Sequence, residues 1–263
     1  MKWIQQHKIL AMAVAVAVAL SVWYIAGTVK AVNRYVEQFN ATYEVKEEPE
    51  GQGVNMYRVP GYHELLKEKG LLSSQVKLAR TDSIGLFLNL PDSVAQLMIK
   101  GVAVRSIPLQ KIDLPSLFSR TSQEALYEWL SEPVLVHTLK ATIAKEPVNV
   151  VQAPKDSSDA VPLLKPDTTN REPVFFILGS DRGLRLYFYQ TERGGGDSRA
   201  AFAFEWADRW QEVKQNLRSV FAFRVPPYVP TLRIGISKED AKVLYRALPE
   251  KGRVVITYSY LSD

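Results

Sequence analysis

The chain has 263 residues, 46% hydrophobic and 10% aromatic, with 33 basic against 28 acidic side chains and a formal charge of +5. These are globular values that exclude a disordered polymer, and no run of Lys or Arg is dense enough to form a nucleic-acid stripe. The absence of cysteine removes disulfides, thiolate metal sites, iron–sulfur clusters and every cysteine-nucleophile mechanism.

The first element is apolar. Ile9 to Val29, between Lys8 and Lys30, is a run of 21 residues without a charge, long enough as a helix to cross a hydrocarbon core of about 30 Å. Trp3 near one end, and Trp23 and Tyr24 near the other, stand where aromatic rings prefer the membrane interface. A cleaved signal peptide is the alternative. Against it, the run is longer than an ordinary signal core, and Trp23 and Tyr24 are bulky where cleavage wants small residues. The expectation is a membrane anchor over residues 1–30 in a single-pass protein of the cytoplasmic membrane. Lys2 and Lys8 nearly balance Lys30 and Arg34, and the free amino terminus tips the soluble domain to the outside of the cytoplasm.

Residues 31–60 read as stalk and linker. Val32, Tyr35, Val36, Phe39 and Tyr43 follow helical spacing. This stripe packs either on its own domain or on a second copy, so Tyr35 and Phe39 are candidate partner contacts and a homodimer through the stalk is one reading. Asn40-Ala41-Thr42 matches the glycosylation sequon, which is short and common. The acidic stretch Glu44 to Gly53 reads as a linker.

A first α+β unit is expected over 61–152. It opens with a short helix carrying Tyr62, Leu65 and Leu66 on one face, with Gly70 as its stop. Ser83 to Leu90 and Val94 to Val104 flank Pro91-Asp92-Ser93 as a hairpin. Thr121 and Glu124 form a capping box before the amphipathic helix of Ala125, Leu126, Trp129 and Leu130. Val134 to Ile143 and Val148 to Val151 read as strands. Residues 153–173, with Pro154, Pro162, Pro166 and Pro173, read as a linker.

The second unit, 174–263, repeats the order. Val174 to Leu178 and Leu184 to Gln190 form a hairpin around Ser180-Asp181-Arg182-Gly183. Trp206, Trp210, Val213, Leu217 and Phe221 share a helix face. Thr231 to Ile236 reads as a strand, Lys238 to Leu248 as a helix capped by Ser237, and Arg253 to Tyr260 as the last strand. Val136 to Glu146 resembles Val229 to Glu239, with Thr138-Leu139-Lys140 opposite Thr231-Leu232-Arg233, the mark of an internal repeat.

Chemistry is sparse. The histidines are His7, His63 and His137, and no HExxH-type spacing brings two of them together. Glu124, Glu128 and Glu132 are spaced by four along a helix and read as a solvated face. Arg193-Gly194-Gly195-Gly196-Asp197 lacks the Gly-Lys-Ser/Thr ending that cradles phosphate. No catalytic, cofactor or metal residue is expected.

One stretch resembles a known family. Ser237-Lys238-Glu239-Asp240-Ala241, followed by the helix to Pro249, Gly252 and the Val-rich strand Arg253 to Ile256, is similar to the end of L,D-transpeptidase catalytic domains. That family carries Ser-His-Gly-Cys followed by a hydrophobic residue and Arg. The matching positions here are Pro230, Thr231, Leu232 and Arg233, then Ile234 and Gly235. The resemblance thus implies the fold without the catalytic apparatus, and leaves Arg233 as a candidate ligand for a carboxylate.

The sequence therefore predicts an α+β protein with an N-terminal transmembrane helix and stalk followed by two similar hairpin-helix-strand units. The function expected is a non-enzymatic scaffold or interaction module of the cell envelope. Its partners would be the membrane, crossed once, and an envelope protein or cell-wall polymer, with no nucleic acid and no cofactor. Two alternatives stay open: an envelope enzyme acting on wall or carbohydrate substrates through carboxylates, and an accessory subunit of a transport or secretion complex.

Overall fold

In the computed structural model, which describes residues 8–43, 61–145, 172–192, 194, 197–221 and 227–259, the apolar run opens a helix that continues far beyond it. This helix, α1 (Lys8–Tyr43), is 36 residues long. It is followed by α2 (Tyr62–Ala79), β1 (Gly85–Asn89), β2 (Val94–Ile99), β3 (Val102–Pro108) and β4 (Lys111–Asp113). Next come α3 (Ser116–Arg120), α4 (Gln123–Leu130), β5 (Val134–Ala141), β6 (Phe175–Ser180) and β7 (Arg185–Gln190). The chain closes with α5 (Asp197–Phe221), β8 (Thr231–Ile236), α6 (Lys238–Ala247) and β9 (Arg253–Thr257).

The strands form one sheet in the order β3-β2-β1-β9-β5-β6-β7-β8-β4. Its two outermost strands, β3 and β4, are joined by Leu109 and Gln110 alone. Laid flat, nine strands at about 4.8 Å would hold the edges about 38 Å apart. The three steps from Pro108 to Lys111 reach at most about 11 Å. The sheet must therefore curl until its edges meet. Leu109 N donates to Ser93 O at 2.7 Å and Gln110 N to Gly235 O at 2.8 Å, tying the β1–β2 turn to β8 across the seam. Arg105 of β3 then reaches Asp240 of α6 at 2.8 Å.

Alternation divides each strand between two faces. Leu86 and Leu88, Phe176 and Leu178, Leu232 and Ile234, and Val254 and Ile256 point into the main core, which also takes Trp129 of α4 and Leu244 of α6. Phe87 and Val255 point to the other side, where Leu78 of α2 covers them. Phe175, Ile177 and Tyr187 do the same under Ala201 and Phe204 of α5.

Several expectations need correction. Among the described residues no helix is long and apolar enough to cross a membrane. The transmembrane anchor, the single-pass topology and the membrane as an integral partner therefore do not stand. A polar contact falls inside the uncharged run, where Tyr24 Oη accepts from Asn216 Nδ2 of α5 at 3.5 Å. From Ala31 onward the helix is built into the domain, with Val36 and Phe39 buried in the main core.

Gly70 does not stop α2. A Cβ at this buried position would lie 3.1 Å from Tyr127 O, so the glycine permits close approach of α2 to α4. Val94 to Val104 is two strands, because Lys100 (φ 50°) and Gly101 (φ 83°) form a tight turn of the left-handed kind that joins antiparallel strands. The cap of α4 is Ser122, whose Oγ accepts from Ala125 N, one residue beyond the expected Thr121.

Both hairpins exist, yet their surroundings differ in direction. β9 runs parallel to β1, whereas β5 is antiparallel to β6. β3 is antiparallel to β2, whereas β8 is parallel to β7. With β9 lying between β1 and β5, the two segments share one sheet and do not repeat one pairing pattern. The acidic linker from Glu44, the strand expected over Val148 to Val151, most of the Pro-rich linker and His7 lie outside the described residues.

Candidate functional site

Three arrangements bring the candidate residues together. The first is a groove of about 210 Å³ between the end of α1, α4 and the β6–β7 turn, which includes Tyr35, Phe39, Trp129 and Arg182. Tyr35 and Phe39 are on one helix face as expected, but they face their own domain. Phe39 meets the Trp129 ring edge-on at 5.6 Å, and Tyr35 meets Tyr228 at 5.3 Å. The stripe therefore packs on its own domain, the first of the two readings given for it. Burial, with Tyr43 and Tyr228 adding to it, raises the pKa of the Tyr35 hydroxyl. Arg182 Nη1 donates to the Trp129 carbonyl, which orients the guanidinium at the groove. Asn40 of the sequon is also engaged, its Oδ1 accepting from Ser122 N at 3.3 Å.

The second arrangement holds Arg233. It lies on the face of β8 opposite the main core, where its Nη2 donates to Glu205 Oε1 of α5 at 2.7 Å. Its guanidinium stacks over the Tyr187 ring at 4.7 Å and lies 6.0 Å from that of Tyr189. Tyr187 Oη donates to the same Glu205 oxygen at 3.3 Å. Burial, then the Glu205 carboxylate, drive the Tyr187 pKa well above the ordinary phenol value, and Arg233 opposes them. One turn along α5, Asp208 accepts from Arg185 and stands 4.0 Å from Lys140. Arg233 thus already pairs with a carboxylate of its own domain. Sequence reasoning missed Glu205 and Asp208; their spacing of three, facing alternate arginines of β7 and β8, was the available signal.

The third arrangement is the opposite face of α5. Phe202, Trp206 and Trp210 follow at intervals of four and are 68%, 56% and 46% exposed. Their rings stack on one another, with centroids 6.0 and 5.9 Å apart and planes within 17°. Lys214 Nζ continues the row, 5.8 Å from the Trp210 ring. Trp206 and Trp210 do share a face as expected, but that face points to solvent.

The remaining candidates are scattered. His63 Nδ1 lies 3.3 Å from Glu124 Oε1 without forming a hydrogen bond, and His137 is exposed on β5. Glu132 lies beyond the end of α4 and pairs with Lys77, and Glu128 is exposed, so the three carboxylates do not share one helix face. In the glycine-rich loop, Asp197 Oδ2 accepts from Gly194 N at 2.9 Å and Gln190 Nε2 at 2.7 Å. These bonds make that aspartate a structural anchor for the start of α5. Among the described residues no group of three His, Asp or Glu side chains could hold a metal ion.

No family model, curated protein or solved structure matches this chain. The resemblance of the C-terminal segment to L,D-transpeptidases rests on the residues quoted for it alone.

Proposed function

We propose that this chain is a non-enzymatic interaction module that binds a protein partner through the outward face of α5. The observation that carries this reading is the row of three exposed, mutually stacked aromatic side chains. Single exposed apolar residues are ordinary on protein surfaces, but a contiguous row is not. Eight helical steps, from Phe202 to Trp210, hold the three rings over about 12 Å. Trp and other aromatic side chains dominate the energetics of many interfaces, since they bury large area with few rotatable bonds.

The three rings lie nearly parallel to one another along the helix. The helix beneath is fixed by Arg185–Asp208 and Arg233–Glu205, which lowers the ordering cost of binding. Arg209, exposed and 3.6 Å from Glu205, and Lys214 flank the row with positive charge. The complementary partner is an apolar segment carrying acidic residues.

Selection of random 16-residue peptides on the full chain, counter-selected against Trp206→Ala, tests this reading. Enrichment of peptides that combine acidic and large apolar residues is the expected result. Enrichment of basic peptides, or of sequences that bind Trp206→Ala equally well, contradicts it.

A further inference from the structure

We infer that the groove between α1, α4 and the β6–β7 turn binds a carboxylate of about amino-acid size that carries an apolar group. Its volume of about 210 Å³ is below the roughly 300 Å³ at which drug-sized sites begin, and it suits a single residue or fragment. Tyr35 and Tyr43 supply its half-buried aromatic walls, with Phe39 and Trp129 buried behind them and Gln38 and Thr42 at the polar margin.

Arg182 supplies the selectivity. A guanidinium has five N–H donors, and one of those of Arg182 is committed to the Trp129 carbonyl. That bond fixes the direction of the fork without neutralising its charge. Among the described residues no carboxylate lies within ion-pair distance of Arg182, in contrast to Arg105, Arg185, Arg209 and Arg233. A half-buried cation beside aromatic walls is matched by a carboxylate, which the fork can take in two parallel hydrogen bonds. An amide of the same shape offers one neutral acceptor and loses the charge-assisted contact.

Ligand-observed NMR on the full chain, with N-acetylphenylalanine and its amide as probes, tests the site. The acid should bind at least about tenfold more tightly than the amide. Arg182→Met should remove that preference. Because Arg182 also caps the Trp129 carbonyl, Thr42→Trp provides a second variant that fills the groove and leaves the guanidinium intact; it too should weaken the acid at least about tenfold. A tripeptide ending in phenylalanine separates two sources of the same chemistry. Binding as tight as that of the acid identifies a peptide C-terminus, and weaker binding identifies a free small acid. Equal binding of acid and amide, unchanged acid binding in both variants, or no acid binding at about 10 mM overturns the inference.

Discussion

The two helices that cover the outside of the sheet meet its strands through different contacts, although α2 also pairs Lys77 with Glu132 beyond α4. α2 lies on β1 and β9 through Leu78, Phe87 and Val255, with Leu71 and Met98 around them. α5 lies on β6, β7 and β8 through Phe175, Ile177, Tyr187 and Phe204, and adds Arg233–Glu205 and Arg185–Asp208. Apolar burial has no preferred direction, so it attaches a helix without fixing its rotation closely. Charge-assisted hydrogen bonds do have direction. In α5 they pin the carboxylate face to the strands, and the aromatic row is turned outward as a consequence.

The largest effect that separates the two regions belongs to the apolar one. Phe87→Ala should destabilise the protein by about 3–5 kcal/mol in denaturant melts, because it empties the contact beneath α2. An effect below about 1 kcal/mol would mean that α2 contributes little to the fold. Gly70→Ala comes next. The added methyl meets a backbone carbonyl, at a cost of roughly 1–3 kcal/mol that improved helix propensity only partly offsets.

The polar region should respond more weakly. Arg233 and Glu205 are 36% and 31% exposed, so solvent screens the pair. A double-mutant cycle with Arg233→Met and Glu205→Gln should return a coupling of about 0.5–1 kcal/mol. No measurable coupling would remove the directional role given to this pair.

Alkaline pH sharpens the contrast further. The Tyr187 pKa is raised in the folded protein, so the neutral phenol is the form that folding favours. Its contribution is fully present below the unfolded value of about 10 and is lost as pH rises above it. Tyr187→Phe should therefore flatten the loss of stability above about pH 10 and leave the pH dependence unchanged near neutrality. Tyr35, Tyr245 and Tyr258 are shifted in the same direction, so some alkaline slope should remain in the variant.

Local structure was legible where the signal was local. The span of β8 and the Ser237 cap of α6 follow from strand alternation and a serine three residues before Asp240, and both stand in the structure. Gly70 misled because a glycine that stops a helix and one that admits a neighbouring helix are the same letter. The missed turn at Lys100–Gly101 placed a non-glycine residue in the left-handed region. The closure of the sheet was not legible, because it depends on which distant strands become neighbours. The same is true of Arg233: the residue was visible in the sequence, but its partner Glu205 lies on an element whose rotation no local pattern sets. Tyr35 and Phe39 were read correctly as sharing a helix face, and only the fold shows that this face lines the groove with Arg182.

The claim that the outward face of α5 is an interface is tested most directly by comparing two exposed apolar residues, one on each outer helix. An acidic, apolar peptide selected on the full chain should bind Trp206→Ala at least about tenfold more weakly. Leu72→Ala, on the exposed side of α2, should leave its affinity unchanged. Both variants should keep their stability within about 0.5 kcal/mol of the parent, as surface substitutions do. Unchanged affinity in Trp206→Ala, or an equal loss in both variants, would contradict the account.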